Sequence, residues 1–350
     1  MKNSARATLA LLVAPALLLT ACGGNSADSG SSSVTANKGQ PDVNGDGKVV
    51  IGVLSNGDTH DNGYFQSFVD EANTIARSNG WEIRTVDKVA VADGANQARN
   101  LCRQRVDLIA IGAQELQDAL SVAPEPVCAE TQWYVNGGGG VKQTKWFSQS
   151  VDKVNQTLYT AGYAAGLLMK DLNATKAGYI TGPRADFSLQ AAKAFTKGIQ
   201  AVVPKAEVLT QYTGDFEDSA KAKEAFDVMK AQDIKLVYPY LGGATDAVTT
   251  EANKAGVPAL TPGTDRCQDT TIKYDVSVVF NPGAFFAAAL QDFQKGQLKM
   301  GVTREWIIGK DPVPLIKICK PKGDQQEQIN KLMADIGSGK FNVDAAVDGQ

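Results

Sequence analysis

From Lys48 onward the chain alternates short, almost unbroken apolar runs with longer stretches of helical period, and this alternation limits the architectures open to it. KVVIGVLS reads as a buried strand, and FQSFVDEANTIARSNG as a helix with Phe65, Phe68, Val69, Ala72, Ile75 and Ala76 at its apolar positions. WEIRTVD, VDLIAIG and QWYVNG follow as strands, with GANQARNLCRQR and LQDALSVA as helices between them. Strands that are apolar on both sides need helices on both faces, which favours a doubly wound parallel α/β sheet.

After Phe147 the rhythm restarts. Helices are predicted over 155–172, 186–203 and 219–231 and in ATDAVTTEANKAG, alternating with the strands AGYIT, AEVLTQY, KLVYPY and VPALTPG. Two successive sheets of this kind predict two similar domains. The tail supplies DVSVVF, a helix over 284–295, VPLIKIC and a helix over 325–336, too few elements for a third domain. They are therefore expected to return and complete the first two. Crossings near Val151, Thr271 and Thr303 would form a three-stranded hinge, giving one lobe from 48–151 with 272–302 and another from 152–271 with 303–350.

Ahead of this lies a segment of another kind. MKNSAR is followed by an apolar run from Ala7 to Leu19, broken only by Thr8 and Pro15. The run is short for a bilayer crossing, which needs ~20 apolar residues. It has the form of a signal peptide over 1–21. LTAC ends it at Cys22 and resembles a lipobox, so Cys22 is expected to carry lipid, palmitate included, and to become the new N-terminus. Residues 22–47, rich in Gly, Ser and Asn at the start, are predicted to be a flexible tether. The expected location is the extracytoplasmic face of the cell membrane, held there by the lipid.

With 43% hydrophobic residues the chain can bury full cores, and a net charge of −3 spread along it leaves no basic footprint for nucleic acid. Five cysteines leave four beside Cys22, namely Cys102, Cys128, Cys267 and Cys319. In an exported chain these predict two disulfides; three pairings are possible, and proximity favours Cys102 with Cys128 and Cys267 with Cys319. A single histidine, His60, leaves few ways to build a Ser/His/Asp triad or a histidine-based metal site. DVNGDGK (42–48) starts like a calcium loop, but Val53 stands where the bidentate glutamate is needed. NGGGG (136–140) lacks the GK[ST] of a phosphate cradle. Neither a metal nor a cofactor is expected.

Ligands of open parallel sheets sit beyond the carboxyl ends of the strands, so the loops there hold the candidates. SNGDTHDNGYFQSF follows the first strand: Asp61 or Asn62 can cap the helix, while Tyr64, Phe65 and Phe68 cannot all point inward from one turn, so at least one should face a cleft. GDFEDS puts Phe216 in a polar loop, where it suits stacking on a planar ligand. LGGATD sets Gly242 and Gly243 at a helix start, with backbone N–H groups for a ligand acceptor. PGTDR places Asp265 where it could accept from ligand hydroxyls.

These residues carry a family likeness. The lipobox, the DNGYFQS loop (61–67), AGYAAGLLM, KAFTKGIQAVVPKAEVLTQYTGDFED, LGGATDA and GTD together resemble the basic membrane protein family. That resemblance implies a type I periplasmic binding protein fold and a substrate-binding lipoprotein of an ABC importer, whose characterised members commonly hold purine nucleosides between two aromatic rings. Carried over by motif, Asp61, Tyr64 and Phe65 fall in the first binding loop, Phe216 in the second stacking position, Gly243 in the glycine loop and Asp265 on the ribose. Asn136 stands where the family commonly has aspartate and Phe280 where it has lysine, which leaves a more apolar cleft. The implied partners are a small-molecule ligand and an ABC permease, with the protein itself a monomer. An extracellular enzyme and a ligand sensor feeding a membrane receptor are the rival classes; the lack of a recognisable nucleophile elbow or metal cluster counts against the enzyme.

Overall fold

The computed structural model describes residues 39–349 apart from 62, 138 and 139. The signal segment, Cys22 and the tether up to residue 38 lie outside the described residues. Twelve strands and nine α-helices are found among those described, labelled here in chain order.

One sheet contains Val50–Leu54 (β1), Glu82–Val86 (β2), Leu108–Ile111 (β3), Gln132–Asn136 (β4), Ser148–Asp152 (β5) and Thr303–Trp306 (β11). Its order is β11-β5-β4-β3-β1-β2, and every neighbouring pair is parallel. The helices Tyr64–Asn79 (α1) and Pro282–Gln294 (α7) supply one face of its core, where Phe68, Phe286 and Phe293 meet Ile51, Val53 and Tyr134. Gly94–Arg103 (α2) and the stretch Gln114–Val122 supply the other, with Leu101, Leu116 and Val122 against Leu54, Ile109 and Trp133. LQDALSVA is thus helical as expected, but wound as a 3₁₀-helix.

The second sheet is built in two parts. Glu207–Tyr212 (β7), Lys176–Thr181 (β6) and Val237–Tyr240 (β8) are parallel, and a parallel bridge from Val237 to Ala259 joins them to Leu260–Gly263 (β9), Val276–Val279 (β10) and Leu315–Ile318 (β12). β12 runs antiparallel to β10. Val154–Asp171 (α3), Asp186–Val202 (α4), Gln325–Gly337 (α8) and Val343–Asp348 (α9) cover one face, and Ser219–Ala231 (α5) and Thr245–Lys254 (α6) cover the other. α3 and α4 cross at backbone distance: a Cβ at Gly162 would collide with the Phe195 carbonyl, and one at Gly198 with the Tyr159 carbonyl.

The chain passes between the sheets three times: from β5 into α3, from β10 into α7, and from β11 to β12. Two of these crossings differ from the sequence expectation. Residues 272–302, assigned above to the first lobe, are divided, since β10 pairs with β9 while α7 packs beside α1. β11, assigned above to the second lobe, extends the first sheet beside β5. Register explains why β10 stays with β9: Val276 lies opposite Leu260 and Val279 opposite Gly263, so the strand adds to the sheet its predecessor has just formed. The predicted tether also ends early. Val43 and Asn44 donate to the Asp107 carboxylate at 2.8 and 3.2 Å, and Leu298 donates to Gln40, which fastens this stretch to the first sheet.

Both expected disulfides are present, Cys102–Cys128 closing a loop of 26 residues and Cys267–Cys319 one of 52. Each removes chain entropy from the unfolded state and contributes about 2–4 kcal/mol.

Candidate functional site

The carboxyl ends of β1, β3 and β4 bring together the first set of candidates. The Asp61 carboxylate accepts from the backbone N–H groups of Gly63 (2.8 Å), Gln66 (3.0 Å) and Phe65 (3.2 Å), so it caps the start of α1. Burial pushes its carboxyl above the ordinary value despite these three donors. The three aromatic side chains that follow separate as the helical period requires. Phe68 joins the core, and Phe65 wedges beneath the strand-end loops against Gly57 and Gly112. Tyr64 is the one that faces away. Its hydroxyl donates to the Gly112 carbonyl at 3.1 Å and accepts from Asn136 Nδ2 at 2.8 Å. Asn136, at the end of β4, thereby orients the phenol.

The Tyr64 ring lies 5.0 Å from Phe65, edge to face, and 6.1 Å from Phe280. Phe280 follows β10 at the second crossing and lies 6.1 Å from Tyr240, the last residue of β8. Tyr240 continues the cluster to Tyr238 at 5.7 Å and Tyr179 at 6.0 Å. A line of aromatic rings therefore runs from the first sheet's loops into the second sheet. The two sets of loops also approach each other beside it, for a Cβ at Gly243 would stand 3.9 Å from Asp61 Cβ.

On the second sheet's side, the Phe216 ring covers Gly182, whose added Cβ would lie 2.7 Å from it, and stacks with Phe187 at 6.2 Å. Its carbonyl accepts from the N–H groups of Gly242 (3.1 Å) and Ala244 (3.3 Å). The glycine turn is therefore not open in the way its sequence suggests. Glu217, which the sequence reading passed over, accepts from the Gly243 N–H at 2.9 Å, so the chain's own carboxylate occupies the donor expected for a ligand. Asp265 is exposed and engaged elsewhere, with Lys317 Nζ at 2.6 Å and the Cys267 N–H at 3.0 Å. Those partners lie on β12 and in its own loop, and the structure does not bring Asp265 into the aromatic line.

Two further carboxylates stand at strand ends and were not singled out from sequence. Glu115 follows β3, and Asp152 is the last residue of β5. Neither has an ion pair or a hydrogen bond to another side chain among the described residues; each carboxyl accepts from its own backbone N–H. Burial raises the Glu115 carboxyl and pushes that of Asp152 up to about 6. Tyr64 is held well above the ordinary phenol value by burial first, then by the charges of Glu115 and Asp152. An acid whose pKa is higher folded than unfolded binds more protons in the folded state, so its contribution is complete below about pH 4 and is lost as pH rises through about 6. Asp152→Asn is thus expected to stabilise the ligand-free protein at pH 7.5 by on the order of 1–2 kcal/mol, with a much smaller gain at pH 4. Urea melts at the two pH values check this; an equal gain at both would contradict the assignment.

This arrangement offers aromatic faces and carboxylates without ion pairs, and among the described residues of the site no nucleophile stands with a base beside it. The sequence model of the family described as "ABC transporter substrate-binding protein PnrA-like" matches residues 48–341. The chain belongs to this family. It is a substrate-binding protein of an ABC transporter, not an enzyme, and the resemblance read from its motifs is borne out. An "ABC transporter nucleoside-binding protein BmpA" of Lactococcus lactis subsp. cremoris is 30% identical over 137 residues, 39% of this chain and 38% of that protein. The "CD4+ T-cell-stimulating antigen" of Listeria innocua is 24% identical over 260 residues, 72% of this chain and 68% of the relative. Among solved structures, an ABC transporter solute-binding protein of Aeropyrum pernix K1 superposes with a TM-score of 0.73 at 16% identity, covering 84% of this chain and 92% of its own. The arabinose-binding component from Shewanella sp. ANA-3 gives 0.58 at 16% identity, covering 84% and 99%. These likenesses show the periplasmic binding protein fold, two doubly wound α/β lobes joined by three crossings. Among the described residues of this substrate-binding protein, no helix is long and apolar enough to cross a membrane.

Proposed function

We propose that this substrate-binding protein captures a small planar solute, purine nucleoside-like, between its two lobes and delivers it to the permease of an importer, while lipid at Cys22 holds it to the membrane. The observation that carries the reading is the aromatic line Tyr64–Phe280–Tyr240, reached from both sheets. Aromatic faces stack on any flat heterocycle and discriminate little between bases. The nucleoside-binding relative from Lactococcus lactis supports the same reading. Contacts from both lobes favour the closed form by their differential affinity, which is all that closure requires.

Calorimetry with adenosine, guanosine, inosine, their free bases and a panel of sugars tests the ligand class. Phe216→Ala is expected to weaken the flat ligands by a similar factor, roughly tenfold. Tight binding of a non-planar sugar that ignores Phe216→Ala would overturn the stacking reading. For the anchor, Cys22→Ala should move the protein from the membrane fraction to the soluble one, and a variant that still sediments with membranes would refute it.

A further inference from the structure

We propose that Glu115 and Asp152 select a ligand bearing a positively charged amino edge, so that cationic heterocycles are preferred over neutral oxo ones and anionic nucleotides are rejected. The inference rests on the planar-ligand reading above and assigns the polar end of that ligand. The first support is position. Glu115 lies just beyond the carboxyl end of β3 and Asp152 at that of β5, the two strands that flank β4, with Asp152 two residues beyond Ser150, which pairs with Asn136, and Glu115 three beyond Gly112. Asn136 and Gly112 are the two groups that fix the Tyr64 hydroxyl, so the carboxylates flank the phenol at the head of the aromatic line. Their charges reach Tyr64 and Tyr240 alike, and that of Asp152 reaches Tyr238.

The second support is what surrounds them. A desolvated carboxylate without a partner is costly, and proteins keep one where something else supplies the counter-charge. Here no side chain does so, and the rings of Tyr64, Phe280 and Tyr240 attract a cation to their faces. Asp61 and Glu217 add negative charge where the loops approach. The third support is a set of buried polar atoms without a hydrogen-bond partner nearby along the aromatic line: the hydroxyls of Tyr179 and Tyr238 and Thr181 Oγ1, each inaccessible to solvent. Tyr179 and Tyr238 pack with Tyr240 and Phe280 in one cluster, so these hydroxyls stand directly behind the aromatic line. Together they describe a wall that accepts hydrogen bonds and repels anions.

The test compares nucleosides that differ only at the purine edge. Binding of inosine (oxo), adenosine (amino) and 1-methyladenosine (cationic at neutral pH) is measured by calorimetry at pH 7.5, with adenosine monophosphate as the anion. The expected order is 1-methyladenosine tightest and inosine weakest, separated by about tenfold or more, with no measurable binding of the monophosphate. Glu115→Gln and Asp152→Asn should each shrink the ratio of 1-methyladenosine to inosine affinity several-fold, and the double variant should bring it near one. Equal binding of inosine and 1-methyladenosine by the parent, or a ratio that neither variant changes, overturns the selection while leaving the planar-ligand reading intact. Failure of every nucleoside to bind, with a sugar bound instead, overturns that reading and this inference with it.

Discussion

Gly198→Val is expected to leave the second lobe unable to pack α4 on α3. Gly198 faces the Tyr159 carbonyl so closely that even a methyl group would overlap it, and Gly162 meets the Phe195 carbonyl in the reciprocal way one turn along. The obstacle on each side is main chain, which cannot rotate away as a side chain could. α3 is also the central helix of its core: eleven of its residues are buried, and it contacts β10, β12, α8 and α9 besides α4. Overpacking a core by a methylene or two costs about 1–3 kcal/mol where side chains can yield. The three carbons of a valine side chain against backbone should exceed that, on the order of 3–5 kcal/mol. Urea denaturation followed by circular dichroism reads the loss directly, and a midpoint indistinguishable from the parent would show that the crossing adapts.

Tyr64→Ala is expected to weaken ligand binding by about a hundredfold or more, the largest effect of any single substitution in the cleft. The change removes a ring from between Phe65 and Phe280 and leaves both the Asn136 amide and the Gly112 carbonyl without the hydroxyl that joins them. Truncating a well-packed aromatic costs about 3–5 kcal/mol in a core, and hot spots at binding surfaces reach similar values. Tyr64→Phe separates the two contributions, since it keeps the ring and loses only the bridge; a loss of about tenfold is expected from it. Calorimetry with the best nucleoside of the panel supplies both numbers. Should Tyr64→Ala bind as the parent does, the aromatic line would not be the ligand's seat.

Much of this fold is written in local patterns. VIGVL and LIAI are apolar throughout and buried throughout, so their place in a sheet covered on both faces could be read from the residues themselves. SQSVD could not be read in this way. β5 opens with Ser148, Gln149 and Ser150, polar although buried, and with the strand unrecognised the carboxylate at its end, Asp152, went unnoticed. DVSVVF was legible as a strand but not as a member of the second sheet, because pairing with β9 is a matter of register with another segment and leaves no trace in composition. The aromatic candidates Tyr64 and Phe216 were marked by ring side chains in polar loops. Glu217 beside Phe216 was hidden, since a glutamate in such a loop reads as ordinary solvated charge until the glycine turn is folded against it.

The three crossings also govern how this chain can come to be folded at all. The first sheet lacks its edge until residues 303–306 pair with Ser148–Asp152, and the second lacks β12 until residues 315–318 meet β10. Neither sheet is therefore complete on a partial chain as it emerges from the ribosome, in contrast to beads-on-a-string proteins whose domains mature one after another. Contacts between segments this far apart delay the rate-limiting step of folding, because loop-closure entropy must be met before they form. Such a chain remains threadable through a narrow secretion channel for as long as its last few dozen residues are withheld, and commits to its native topology only once they have been delivered.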